Sequence, residues 1–321
     1  MKRTLSMLLA SLLTAGLLSG CGAAGTQSTA DAADKLSIVT TIFPQYDFTR
    51  QIVGDHAEVT MLLKPGAESH SFDPTPQDIK KIQNADLFIY TGGENDVWVD
   101  GILSSMGESQ PETLKLLDCV PTVTEELVEG MEQAHEEDEA HAEEEEEVDE
   151  HVWTSPQNAM RIVDKIAAVL SEKDAANAAD YQANSAAYVE KLRGLDESFR
   201  DVVTSGARKT VLFGDRFPFR YLADAYGLKY YAAFSGCSTE SEADAATVAF
   251  LVDEVKKDQL PVVFTIEFSN GRIADSIADA TGAKKLILHS CHNVSAEDMA
   301  GGATYLSLME QNVENLREAL N

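Results

Sequence analysis

The chain has 321 residues, 44% of them apolar and 25% charged, which is long enough for two domains with a core each. Its net charge of −29 excludes a nucleic-acid partner, because a phosphate backbone must be met by Lys and Arg. Eleven acids fall between Glu136 and Glu150, and setting them aside still leaves −18, so the body is acidic as well.

The N-terminus reads as a targeting segment. Lys2 and Arg3 form a basic head, residues 5–18 an apolar core too short to span a bilayer comfortably, and Leu18-Ser19-Gly20-Cys21 closes it. That ending resembles a bacterial lipobox, which implies a signal peptide over residues 1–20 and lipid modification of Cys21. Residues 21–35 are small and polar, as a flexible tether should be. The expected location is extracytoplasmic, with acyl chains anchoring the protein to the cell membrane.

Residues 36–41 and 59–63 are β-branched or apolar runs that predict strands, with a helix over 46–53 between them and Lys64-Pro65-Gly66 as a turn. Pro76 opens a predicted helix over 76–84; strands follow at 87–90 and, more weakly, at 114–117. Residues 133–150 are acidic and carry His135 and His141. Repulsion among these carboxylates predicts a solvated, mobile loop, and the imidazoles within it suit low-affinity divalent-cation sites.

From Pro156 the pattern is helical. Ile162, Ile166, Val169 and Leu170 mark one helix, and Tyr181, Tyr188, Leu192, Leu195 and Phe199 mark a second over 175–203. Strands then return at 211–213, 230–234, 262–266 and 286–288, with helices over 221–226, 245–257, 271–281 and 303–320. This alternation predicts an α/β protein of two lobes, each a parallel β-sheet flanked by helices, joined by a long rigid linker helix. The N-terminal lobe covers 36–174, the linker 175–206 and the C-terminal lobe 207–321. Cys237 and Cys291 each follow a predicted strand and make the favoured disulfide for an oxidising compartment, leaving Cys119 as a buried thiol.

Ligands of open parallel sheets gather beyond the C-terminal strand ends. Of the seven histidines, His56 lies in a polar turn before a strand and reads as a surface residue. His70 follows the strand over 59–63, His151 follows the acidic stretch, and His289 ends the strand over 286–288, with His292 three residues on. His70, His151 and His289 therefore converge as candidate metal ligands on one cleft between the lobes.

The residues from His70 to Asp78 (His-Ser-Phe-Asp-Pro-Thr-Pro-Gln-Asp) resemble the His-x-aromatic-x-Pro-x-x-x-Asp pattern of the metal-binding proteins of ABC-type zinc and manganese importers. Glu150-His151-Val152-Trp153 is similar to that family's acid/Pro-His-x-Trp motif, and residues 238–242 to its Thr-Glu-x-Glu segment. The resemblance runs over about 36–320 and implies a lipid-anchored solute-binding protein, monomeric, that takes a metal between its lobes and delivers it to a membrane permease. It makes His70 and His151 first-lobe ligands. In the second lobe, Phe219-Arg220-Tyr221 matches the family's Phe-x-Tyr and puts Arg216 where a His or Glu ligand is usual. A guanidinium has no lone pair to give a metal, so His289 is expected to complete three imidazoles, with Asp215 or Glu240 as further ligands and Arg216 pairing with a cleft carboxylate. Three imidazoles favour Zn²⁺; Mn²⁺ is the alternative cargo. A zinc enzyme and a surface adhesin are the readings from other classes. No general base stands in a motif of catalytic spacing, so a non-enzyme is expected.

Overall fold

A computed structural model describes residues 35–68, 72–131, 147–238 and 242–321. Among these residues the chain runs β1 (Leu36–Thr40), α1 (Phe43–Val53), β2 (Ala57–Met61), α2 (Pro76–Gln83), β3 (Leu87–Tyr90), α3 (Val97–Met106) and β4 (Glu112–Lys115). Two helices follow, α4 (Pro156–Lys173) and α5 (Ala178–Ser205). The second half continues with β5 (Thr210–Phe217), α6 (Arg220–Tyr226), β6 (Lys229–Ser235), α7 (Ala245–Asp258), β7 (Val262–Thr265), α8 (Arg272–Thr281), β8 (Lys284–Ile287), α9 (Ala296–Ala300) and α10 (Tyr305–Leu320).

The strands form two four-stranded sheets in the orders β2-β1-β3-β4 and β6-β5-β7-β8, with every pairing parallel. The second sheet thus repeats the topology of the first. In each sheet the chain reverses its winding between the first and third strand, at β1/β3 and β5/β7, which is where such sheets bind ligands.

Strand sequence explains the layering. Ile38 of β1 and Leu87 and Ile89 of β3 face one core, while Val39, Phe88 and Tyr90 face another under α2 and α3. In the second sheet Val211, Phe213, Val262 and Phe264 join the shared core, and Leu212 and Val263 pack under α7 and α8. Strands buried on both faces need near-continuous apolar residues, as these have. α5 is more than a spacer: its stripe of Tyr181, Tyr188, Leu192, Leu195 and Phe199 is buried in the same core as residues of α1, α4 and α10. That single core reaches both sheets.

Two expectations are corrected here. The acidic stretch is not solvated throughout: Glu125 N–H donates to Glu147 O at 2.8 Å and Asp149 N–H to Val123 O at 3.0 Å. This short pairing lays residues 147–150 against the body, and Asp149 and Glu150 are only 1% exposed. The disulfide is absent, since Cys119, Cys237 and Cys291 are free thiols. Cys291 is enclosed near Asp47, Tyr188 and Tyr305, whereas Cys237 lies among Glu125, Asp149 and Glu150.

Candidate metal centre

The C-terminal ends of β1 and β3 are locked together by one side chain. Gln45 Oε1 accepts from Thr41 N–H at 2.9 Å, Thr41 Oγ1 at 2.9 Å and Ile42 N–H at 3.2 Å, while its Nε2 donates to Thr91 Oγ1 at 2.8 Å. Thr41, Ile42, Thr91 and Asp96 then line a cavity with Phe72, Glu150, Trp153 and His292. This is the switch point of the first sheet.

Asp78, the last residue of the motif that begins at His70, caps a helix. Its Oδ2 accepts from Thr75 N–H at 3.1 Å, and Thr75 Oγ1 accepts from Asp78 N–H at 3.3 Å, a capping box that starts α2 at Pro76. Phe72 packs edge-on against Trp98, centroids 5.8 Å apart. His70 itself lies outside the described residues, as do Cys21, His135, His141 and Glu240.

His151 sits in a one-turn segment that begins directly after the buried acids. Its ring is fully buried, and Nδ1 lies 3.0 Å from Asp149 Oδ1, which also accepts His151 N–H at 2.8 Å. An Nδ1–H donor directed at a carboxylate places the ring lone pair on Nε2, the orientation seen when a carboxylate supports a metal-binding histidine. Burial disfavours the charged ring, but the charge and hydrogen bond of Asp149, with Glu150 and Glu125, outweigh it and raise the pKa.

The second lobe answers with His292. Its Nδ1 lies 3.0 Å from Ser290 Oγ, which donates onward to Glu267 Oε1 at 2.6 Å. The two imidazoles meet edge-on, centroids 4.7 Å apart and planes at 88°, and Trp153 stands 4.8 Å from His292. Trp153 Nε1–H donates to Ser290 O at 2.8 Å, tying the first-lobe turn to the second-lobe loop. Ligand atoms of Glu150, His151 and His292 all lie within 4.8 Å of one another.

The structure gathers His292, not His289, with His151. β8 ends at Ile287, and the loop turns sharply at Cys291, whose φ is +63°. His289 Nδ1 accepts from Cys291 N–H at 3.0 Å, and its backbone is held by Asn312, so its ring supports the turn that delivers His292. Asp215 is likewise occupied: Oδ2 accepts from Thr265 Oγ1 at 2.6 Å, joining β5 to β7 at the second switch point. Arg216 reaches Glu68 at 3.4 Å and Ser238 O at 3.4 Å, an interlobe ion pair of the kind expected for a cation that cannot bind metal.

Comparison with known proteins decides the family. The family model described as "Zinc-uptake complex component A periplasmic" matches residues 38–319. The chain belongs to this family. It is 35% identical over 311 residues to the "High-affinity zinc uptake system protein ZnuA" of Bacillus subtilis, covering 95% of this chain and 94% of that protein. It is 34% identical over 317 residues to the "Zinc-binding lipoprotein AdcA" of Streptococcus pneumoniae, of which it spans 61%. Among solved structures, the Zn(II)-bound ZnuA-like domain of Streptococcus pneumoniae AdcA superposes with a TM-score of 0.74 at 31% identity, over 89% of this chain and 99% of that one. The metal-dependent lipoprotein YcdH of Bacillus subtilis gives 0.75 at 32% identity, again over 89% and 99%. The family is one of metal-binding transport components, not enzymes.

Glu150 and His292 belong to this group without standing out in the sequence. Glu150 was hidden at the end of a charge run that looked uniformly solvated. His292 was visible only as a second histidine three residues after His289, and nothing in the pattern revealed the turn at Cys291.

Proposed function

We propose that this chain is an extracytoplasmic, lipid-anchored solute-binding protein that captures Zn²⁺ between its lobes and hands it to the permease of an ABC importer. The observation that carries the reading is the meeting of His151 and His292 from opposite lobes, each with Nδ1 turned to an oxygen. Two buried imidazoles beside a carboxylate match the nitrogen-rich donor set that zinc prefers over manganese. In this reading His70 contributes a third imidazole, on the strength of its motif, and His292 takes the role expected of His289. The names of the relatives, which are zinc-uptake and zinc-binding proteins, support the choice of metal.

Anchoring follows from residues 1–21: removal of the signal peptide exposes Cys21 for acylation, and 22–35 tethers the body. The two lobes are then 36–174 and 207–321, with 175–206, which holds α5, as the linker between them. The acidic stretch with His135 and His141 concentrates cations near the cleft through its field.

Elemental analysis of protein purified from cells tests the metal reading. One zinc per chain is expected, with none retained by His151→Ala; zinc retained in full by that variant would overturn the reading. For the anchor, Cys21→Ser should shift the protein from the membrane fraction to the soluble one, and an unchanged fractionation would refute lipidation.

A further inference from the structure

We propose that Glu150 is the anionic ligand of the metal, supplied by the first lobe in place of any donor from the β5–α6 region of the second. The inference rests on the zinc-capture reading above and adds one residue to it.

Three observations carry it. The Glu150 carboxylate is buried and lies within 4.8 Å of ligand atoms of both His151 and His292. Its backbone is fixed by the turn it opens, Val152 N–H donating to Glu150 O at 2.8 Å, so Glu150 and His151 are presented together as neighbouring donors. The fold also makes room for it: Gly93 has φ +82°, and a Cβ there would stand 2.6 Å from Glu150 Oε2. A glycine that both bends the chain and clears space for one carboxylate oxygen marks a placed side chain.

The second sheet leaves the position to Glu150. At the end of β5, Asp215 is bound to Thr265 and Ile266, and Arg216 is turned to Glu68 and Ser238, so neither side chain joins the group around the imidazoles. The consecutive acids Asp149 and Glu150 therefore divide two tasks. Asp149 orients the ring of His151 from outside. Glu150 faces the metal and offsets part of its charge, which neutral imidazoles cannot do.

The test compares Glu150→Gln with His151→Ala, using Zn²⁺ against a chromophoric chelator and Co²⁺ as a spectroscopic probe on the full mature chain. Glu150→Gln keeps size and polarity, so the fold should survive, with an unchanged melting temperature as its control. Zinc affinity should drop by at least about 100-fold, as loss of a ligand costs no less than loss of an orienting partner, and the cobalt d–d bands should shift, which a purely structural role would not cause. Wild-type affinity with an unchanged cobalt spectrum in Glu150→Gln, while His151→Ala loses zinc, would overturn this inference and leave the capture reading standing. Zinc retained by His151→Ala would refute the capture reading itself. As a second variant, Gly93→Ala crowds the carboxylate without removing it; weakened zinc binding in a folded Gly93→Ala is expected, and unaltered binding and spectrum count against the placement.

Discussion

His151 and His292 are 141 residues apart in the chain and lie on loops of different lobes, yet their rings meet at right angles, 4.7 Å between centroids, with each Nδ1 beside an oxygen. The partner of one is the carboxylate of Asp149 at 3.0 Å; that of the other is Ser290 Oγ, backed by Glu267. The two orienting arrangements are built differently and both set an oxygen against Nδ1. A metal held here joins the lobes directly.

Proton competition follows from that geometry. Burial pushes against a charged His151, but Asp149, Glu150 and Glu125 prevail and hold its pKa above the ordinary 6.5. In the metal-free protein a raised histidine pKa contributes stability below pH 6.5 that is lost as pH rises through the folded value. Zinc requires the neutral ring, so its stabilisation has the opposite slope. The zinc-induced rise in melting temperature should be small at pH 5.5 and grow through neutrality. Asp149→Asn should move this acid edge to lower pH while weakening binding about 10–100-fold at pH 8. A zinc effect independent of pH across that range would refute the assignment.

Gly236 presses the second lobe against the first-lobe histidine. A Cβ at this position would lie 3.1 Å from His151 Cε1 and 3.0 Å from Phe217 O. Gly236→Ala should tilt the ring, and a loss of roughly tenfold in zinc affinity with little change in secondary structure is the expected outcome. Equilibrium dialysis alongside circular dichroism reads both; unchanged affinity would show that the ring has slack.

Asp96 closes the same cavity at a stability cost. Burial dominates, outweighing hydrogen bonds from Gly92 and Thr91 and the charge of Lys115, and its pKa rises to about 6. The folded state then binds a proton that the unfolded chain, with an Asp pKa near 3.8, has released, so stability falls as pH rises between those values. Both backbone N–H groups go to Oδ2, which an Asn oxygen can replace. Asp96→Asn should stabilise the protein at pH 7 by up to about 3 kcal/mol and flatten its pH dependence. Urea melts at pH 4.5 and pH 7 measure this, and a destabilised variant at pH 7 would contradict it.

The Arg216–Glu68 pair joins the lobes at 3.4 Å, with Glu68 39% exposed. Screening by solvent limits it to about 1 kcal/mol or less. Arg216→Ala should leave the melting temperature nearly unchanged and speed zinc dissociation a few-fold, measured by stopped-flow transfer to a chelator. A large loss of stability would mean that the guanidinium does more than latch the lobes.

Much of the architecture was legible because strands buried on both faces must be apolar runs. The strand expected at 87–90 is β3, and the helix expected over 175–203 is α5, Ala178–Ser205. α3 and α9 do not stand out in the sequence: in one, Asp100-Gly101 interrupts the apolar start Val97-Trp98-Val99 and blurs the helical spacing, and the other has only five residues to carry a pattern. His151 was legible from its motif. His292 was not, because the positive φ at Cys291 goes with its N–H donating to His289 Nδ1 and with the His289 backbone held by Asn312, 23 residues further along the chain. Glu150 was obscured by its neighbours: its charge suggests solvent, and only the pairing of residues 147–149 with 123–125 takes it inside.

The most direct test of the account sets His292→Ala beside His289→Ala in a zinc titration of the mature protein against a competing chelator. High-affinity binding should be lost in His292→Ala and largely kept in His289→Ala, which loosens the turn but leaves in place the ring that reaches His151. Retention by His292→Ala together with loss in His289→Ala would contradict the centre described for this cleft.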